Sequence, residues 1–204
     1  MIPVFVSMVC YGLLHSVLAS DKVKQRFQVK FGERAYHGLY RVVFNMIAFT
    51  TILPILYMMT LNPERVIWTI PLDYEPILWV IQGIGIIGFV MALLQIDGLR
   101  FLGLRQAWAY FNGDPLPLPD EKLTTTGVYK LVRHPLYLFS LMLIWPVTTM
   151  TEAYLGWALG VTLYFLVGSL YEERRMLQYY GEAYQAYRRN VPWLIPFLKF
   201  NNKS

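Results

Sequence analysis

Residues 134–175 read HPLYLFSLMLIWPVTTMTEAYLGWALGVTLYFLVGSLYEERR. The stretch contains two runs free of Asp, Glu, Lys and Arg, Pro135–Thr151 and Ala153–Tyr171, separated by Glu152 alone. They hold 17 and 19 residues, which is the length a helix needs to cross a hydrocarbon core about 30 Å thick. A single charged residue between two such runs predicts a tight helical hairpin. Three similar runs come earlier, Ile2–Ser20, Val42–Leu61 and Pro76–Ile96, of 19, 20 and 21 residues. Continuous apolar runs, rather than alternating ones, argue against a closed β-barrel. The expectation is an all-α integral membrane protein with five transmembrane helices, because a helix satisfies its own backbone in lipid.

Composition agrees. Of 204 residues, 56% are hydrophobic and 15% charged, with a mean hydropathy of +0.39, against about 25% charged in soluble domains. A chain this small cannot hide that much apolar surface in water. Aromatic residues at 16% exclude disorder. A lone Cys10 excludes a disulfide framework or a Cys-rich metal centre. His15, His37 and His134 are scattered, so no metal is expected.

The net charge of +5 raises the question of nucleic acid, and the placement of the charges answers it. Lys22, Lys24, Arg26, Lys30, Arg34 and Arg41 separate the first two runs. Arg100, Arg105, Lys122, Lys130 and Arg133 separate the third and fourth. Arg174, Arg175, Arg188, Arg189, Lys199 and Lys203 follow the fifth, and Arg65 alone falls on the other side. The positive-inside rule then predicts an inner (cell) membrane protein with its N-terminus outside and C-terminus cytoplasmic. The basic balance is a topology signal, and nucleic acid is not an expected partner. The first run lacks a basic leader and a cleavage motif, and is read as a retained helix.

The string Gly83-x-Gly85-x-x-Gly88 matches a dinucleotide fingerprint but lies inside an apolar run, without the strand and turn that motif needs. Small residues that let helices approach closely are the better reading.

Two motifs suggest chemistry. The first is Gly127-x-Tyr129 followed by Arg133-His134-Pro135-x-Tyr137, at the start of the fourth run. Taken alone it also suits an interfacial anchor, with a snorkelling Arg and a headgroup Tyr. The second is Glu172-Glu173-Arg174-Arg175, closing the fifth run. Alone it also suits a solvated helix end. Adjacent helical positions differ by about 100°, so the two glutamates face different ways. In a tight hairpin both motifs return to one cytoplasmic boundary, where Arg133, His134, Tyr137, Glu172 and Glu173 converge. Cationic, anionic and aromatic groups together suit a zwitterionic, partly flat cation. S-adenosylmethionine answers that description.

From about Leu123 to Phe197 the chain resembles the isoprenylcysteine carboxyl methyltransferase and phospholipid methyltransferase superfamily. The resemblance rests on the two motifs above and on Tyr184-x-x-Tyr187, Val191-Pro192 and Ile195-Pro196-Phe197. It implies a cytoplasmic S-adenosyl-L-methionine pocket closed by the C-terminal tail. Gly127, Tyr129, Arg133, His134, Pro135, Tyr137, Glu172, Glu173, Tyr184 and Tyr187 are then the candidate cofactor-binding residues. Leu14-His15-Ser16 in the first run and Asp97-Gly98-Leu99-Arg100 through Arg105 after the third are similar to bacterial methanethiol S-methyltransferases, with a departure at Gly98-Leu99.

His15, Asp97, Arg100 and Arg105 are therefore the candidate catalytic residues. A thiol acceptor must lose its proton, and a His–Asp pair suits that task; a carboxylate acceptor needs only Arg. The whole is read as a single methyltransferase domain over residues 1–204, with a three-helix part (1–96) and a cofactor-binding part (97–204). Its partners are the lipid membrane and a small or lipophilic acceptor entering from the bilayer. A prenylcysteine or phospholipid acceptor is the rival within this chemistry. A non-catalytic membrane protein associated with nitric-oxide metabolism is the rival outside it.

Overall fold

The computed structural model describes residues 1–61 and 65–198. Lys199 and Lys203 of the basic tail, Asn62–Glu64 of the outer loop and the end of the chain lie outside the described residues. Among the described residues, four segments are long and apolar enough to cross a membrane: Ile2–Ala19, Glu33–Met58, Leu72–Gln95 and Glu152–Tyr180. The protein is a helical integral membrane protein. Two compact units share the chain, Met1–Glu64 with Asp97–Glu121, and Arg65–Ile96 with Lys122–Ser204.

The first unit holds α1 (Ile2–Ala19), α2 (Asp21–Phe31), α3 (Glu33–Met58), α5 (Gly98–Phe101) and α6 (Leu104–Asn112). α3 has 26 residues, about 39 Å at 1.5 Å per residue. Only its part from Val42 onward is uncharged, so its first turns project past the hydrocarbon. α1, α2 and α6 pack on it. Gly38 admits the Tyr110 ring, which a Cβ there would meet at 2.8 Å, and Gly103, at φ +86°, admits the Val42 backbone. Side chains add donors to the carbonyls at and just beyond the ends of the short helices: Arg34 donates to those of Ala109, Tyr110 and Asp114, Arg41 to that of Arg100, and Asn45 to those of Phe101 and Leu102. Helices this short cannot satisfy their own ends.

The second unit holds β1 (Val66–Thr69), α4 (Glu75–Gln95), α7 (Pro135–Ile144), β2 (Thr149–Thr151), α8 (Glu152–Tyr180) and α9 (Glu182–Asn190). α4 and α7 lie closely together. A Cβ on Gly88 would sit 2.2 Å from the Phe139 ring, and one on Gly85 2.9 Å from Leu143, whereas Gly83 faces open space. The glycines of the fingerprint-like string therefore serve packing at two of three positions.

The fourth apolar run differs from expectation. Its helix, α7, has 10 residues and spans about 15 Å, half a hydrocarbon core. Pro146 has no amide to extend it, and Gln82 Nε2 occupies the terminal carbonyls of Leu143 and Pro146 at 3.3 and 2.9 Å. The chain then pairs β2 antiparallel with β1, Val66 opposite Thr151. α8 has 29 residues, about 43 Å. Its uncharged part ends at Tyr171, so Glu172 and Glu173 stand at the membrane boundary.

Gly88→Ala should destabilise the fold by about 1–3 kcal/mol through overpacking against Phe139, while Gly83→Ala should not. Unfolding midpoints in detergent check this, and equal midpoints for the two variants would contradict the packing role.

Candidate functional site

The site forms where three pieces of the second unit meet: the segment entering α7, the C-terminal part of α8, and α9 with the tail behind it. A 3-10 turn at Gly127–Lys130 brings the chain in. Gly127 has φ +55°, and a Cβ there would lie 2.2 Å from the Gln95 amide. Gln95 Oε1 accepts from the Val128 amide at 3.1 Å, and its backbone carbonyl accepts from Thr124. Gln95 thus anchors the turn from the end of α4. It carries no charge and was not visible as a site residue in the sequence.

Arg133 and Glu173 form the centre. Arg133 Nε donates to Glu173 Oε1 at 2.6 Å, and each side chain is 10% exposed. Arg133 Nη1 donates to the carbonyls of Arg188 and Val191 at 3.0 and 2.7 Å. Its backbone amide reaches the carbonyls of Pro192 and Trp193, and the His134 amide also reaches Trp193. Glu173 Oε2 lies 3.4 Å from Arg188 Nε. The guanidinium of Arg133 is consequently engaged in holding the tail. Arg188, 36% exposed, meets Glu173 through Nε alone among the described contacts. Nothing in the sequence marked Arg188 beyond its place in the basic tail.

Glu172 points to a different set, as the 100° step between neighbours requires. Its Oε2 accepts from the Tyr137 hydroxyl at 3.0 Å and lies 3.5 Å from His134 Nδ1, with 34% of the side chain exposed. The His134 and Tyr137 rings stack with centroids 5.4 Å apart, and Tyr137 stacks on Phe165 at 4.6 Å. His134 Nε2 is buried 3.4 Å from Glu173 Oε1 yet makes no hydrogen bond. Burial works against the imidazolium, but Glu172 and then Glu173 outweigh it and raise the His134 pKa.

The tail closes over this cluster. The Tyr187 hydroxyl donates to the Tyr129 carbonyl at 2.6 Å, and Tyr184 and Tyr187 are the buried residues of α9. Burial, with Glu172 adding, pushes the Tyr129 hydroxyl up to about 12, and burial likewise raises Tyr184 and Tyr187. These phenols stay neutral, and the Tyr187 hydroxyl acts as a donor. Every candidate cofactor residue belongs to this one unit.

The four candidate catalytic residues lie in the first unit. Asp97 caps α5, accepting from the Arg100 amide at 3.0 Å, and pairs with Arg105 Nε at 2.6 Å. Desolvation raises its pKa, but the Arg100 amide and Arg105 outweigh this and hold it below the usual carboxylate range. Arg100 Nε lies 3.3 Å from Glu121. His15 packs against Phe44, centroids 4.3 Å apart, and Tyr11, at 6.0 Å.

A family model for phospholipid methyltransferases matches residues 79–183. The chain belongs to the phospholipid methyltransferase family. The matched region runs from α4 through the Arg133–Glu173 centre. A methanethiol S-methyltransferase from Crocosphaera subtropica is 32% identical over 92% of this chain and 71% of its own length. Methanethiol S-methyltransferase 2 from Bradyrhizobium diazoefficiens is 38% identical over 59% of this chain but 47% of its own length. The chain thus spans only about half of some curated relatives. Protein-S-isoprenylcysteine O-methyltransferase B from Arabidopsis thaliana is 37% identical over 38% of this chain and 41% of its own. No solved structure gives a significant match.

Two outcomes follow from this geometry. Arg133→Met or Glu173→Met alone should cost about 3–5 kcal/mol, by leaving its partner charged and buried, while the double variant should cost clearly less. Additive losses in chemical unfolding would contradict the coupling. The imidazolium contribution of His134 should be complete below about pH 6.5 and lost as pH rises through its raised native value. The melting temperature of the protein minus that of His134→Gln should therefore fall as pH increases above about 6.5; a flat difference would contradict it.

Proposed function

We propose that the second unit binds S-adenosylmethionine and that the protein is a membrane methyltransferase acting on a small thiol, methanethiol giving dimethyl sulfide. The observation that carries the cofactor assignment is the division of labour at the end of α8. Glu173 is enclosed by Arg133, Arg188 and His134, whereas Glu172 keeps an exposed face beside stacked aromatic rings. A partly exposed carboxylate, a buried imidazole nitrogen lacking a hydrogen bond, and aromatic faces form a donor set that fits this molecule. In this reading Glu172 takes its ammonium or ribose hydroxyls, Tyr137 and Phe165 offer faces to its flat or sulfonium parts, and Arg188 takes its carboxylate because Arg133 is engaged.

When bound, S-adenosylmethionine supplies a methyl group on a sulfonium, transferred in line to a nucleophile about 3–3.5 Å away. The protein's part is binding, alignment and dryness. Tyr184 and Tyr187 on α9, held down by Arg133, keep water from the cluster. For the acceptor, Asp97 is a poor base because Arg105 and the Arg100 amide hold it ionised, and Arg100 and Arg105 themselves keep α5 in place. His15 is then the residue that takes the thiol proton. The excess of basic residues on the side of the site supports a cytoplasmic location for it.

The thiol comes from the names of the relatives that cover most of the chain. The isoprenylcysteine relative and the family model favour a second reading, a lipid-borne carboxylate or amine as acceptor.

Calorimetry with S-adenosylmethionine tests the site. Glu172→Gln should weaken binding about tenfold to a hundredfold, the worth of one charge-assisted hydrogen bond. Unaltered affinity in that variant would remove Glu172 from the site. Methyl transfer from labelled cofactor to methanethiol, a prenylcysteine and phosphatidylethanolamine then identifies the acceptor, with methanethiol expected to turn over fastest.

A further inference from the structure

The first unit carries a charged surface that methyl transfer does not use. α2 holds Lys22, Lys24, Arg26 and Lys30 among 11 residues, and none of its residues is buried. Its one acid, Asp21, lies 3.5 Å from Lys24. Lys22, Arg26 and Lys30 recur every four residues and so share one side of the helix. Among the described residues none of the three has a carboxylate partner; Lys30 lies over the Phe31 ring at 5.4 Å. Lys22 and Arg26, with Gln25 and Val29, line an open concavity. Val29 is 88% exposed in the midst of these cations, and Phe31 is 55% exposed.

The position of the helix says what covers it. α2 starts two residues after α1 ends, and α3 follows after Gly32. The Phe27 ring lies 5.1 Å from Tyr40, whose hydroxyl donates to the Leu18 carbonyl near the end of α1. Tyr40 is two residues, about 3 Å of helix, before the uncharged part of α3 begins. α2 is thereby tied to the level at which hydrocarbon gives way to headgroups. On the same projecting part of α3, α6 exposes Trp108 by 71% and Phe111 by 78%, aromatic residues of the kind that occupy membrane interfaces.

Unpaired cations around an exposed valine, at headgroup depth, match the phosphates and glycerol region of an anionic lipid and nothing else adjacent. We propose that α2 is a binding site for anionic phospholipid headgroups of the leaflet it borders, with Lys22, Arg26 and Lys30 taking the phosphate and Val29 entering the lipid. The site is separate from the methyl-transfer reading and stands whichever acceptor is methylated.

The test uses the full chain purified with equal amounts of phosphatidylglycerol and phosphatidylcholine, and native mass spectrometry of the lipid retained. Phosphatidylglycerol should be retained more than tenfold over phosphatidylcholine at low salt, and the preference should fall about fivefold for each cation removed. The triple variant Lys22→Gln, Arg26→Gln, Lys30→Gln should lose it. The double variant Lys22→Arg, Lys30→Arg, which keeps every charge, should retain it and guards against loss of fold. Equal retention of the two lipids by the unmodified protein would overturn the proposal. So would an unchanged preference in the triple variant, displacement of the lipid by inorganic phosphate at the same concentration, or a lipid-free dimer.

Discussion

The pair between Arg133 and Glu173 is the constraint on which the functional unit depends. Both side chains are about nine-tenths buried, and taking two charges out of water is repaid only when their remaining donors and acceptors are filled. They are filled by distant parts of the chain. The Arg188 and Val191 carbonyls take Arg133 Nη1, and Arg188 and His134 approach the two oxygens of Glu173. The pair has its full set of partners only when the entry to α7, the end of α8 and the tail are all in place, so it couples the three pieces.

That requirement frees the neighbouring residue. One glutamate is consumed by the clamp, and a step of about 100° along α8 turns the next one to the stacked rings of His134 and Tyr137. A structural carboxylate and an available one therefore sit side by side without competing for the same cations. His134 joins them: its Nδ1 approaches Glu172 and its Nε2 Glu173, which favours the protonated ring, and its plane lies parallel to that of Tyr137. The rigidity of the cluster thus derives from the same ion pair that holds the tail.

The first unit solves a different problem, that of short helices at a membrane edge. α5 has 4 residues and α6 has 9, too few to satisfy their own terminal carbonyls. Side chains from α3, Arg34 and Arg41 on its projecting turns and Asn45 just beyond them, add donors there, and Asp97 caps the opposite end of α5. Polar groups face inward in this arrangement, which leaves Trp108 and Phe111 outward.

The sequence by itself determined the membrane class and most of the spans, because crossing hydrocarbon demands about 20 apolar residues and a self-satisfied backbone. It also brought the Arg133-His134-Pro135 and Glu172-Glu173 motifs to a common boundary, since both flank apolar runs of span length. The glycines Gly85 and Gly88 were legible as packing positions from their apolar setting. Tertiary structure decided the rest. α7 stops at Ile144 because Gln82, 62 positions before it in the chain, holds the carbonyls of Leu143 and Pro146 on either side of that end and because residues 149–151 find a strand partner in residues 66–69. Which glutamate is structural, and that Arg133 is spent on the tail while Arg188 keeps an open side, followed from hydrogen bonds to backbone carbonyls. Every residue carries such a carbonyl, so those bonds leave no mark in the sequence, and only the folded chain shows which of them an arginine has reached.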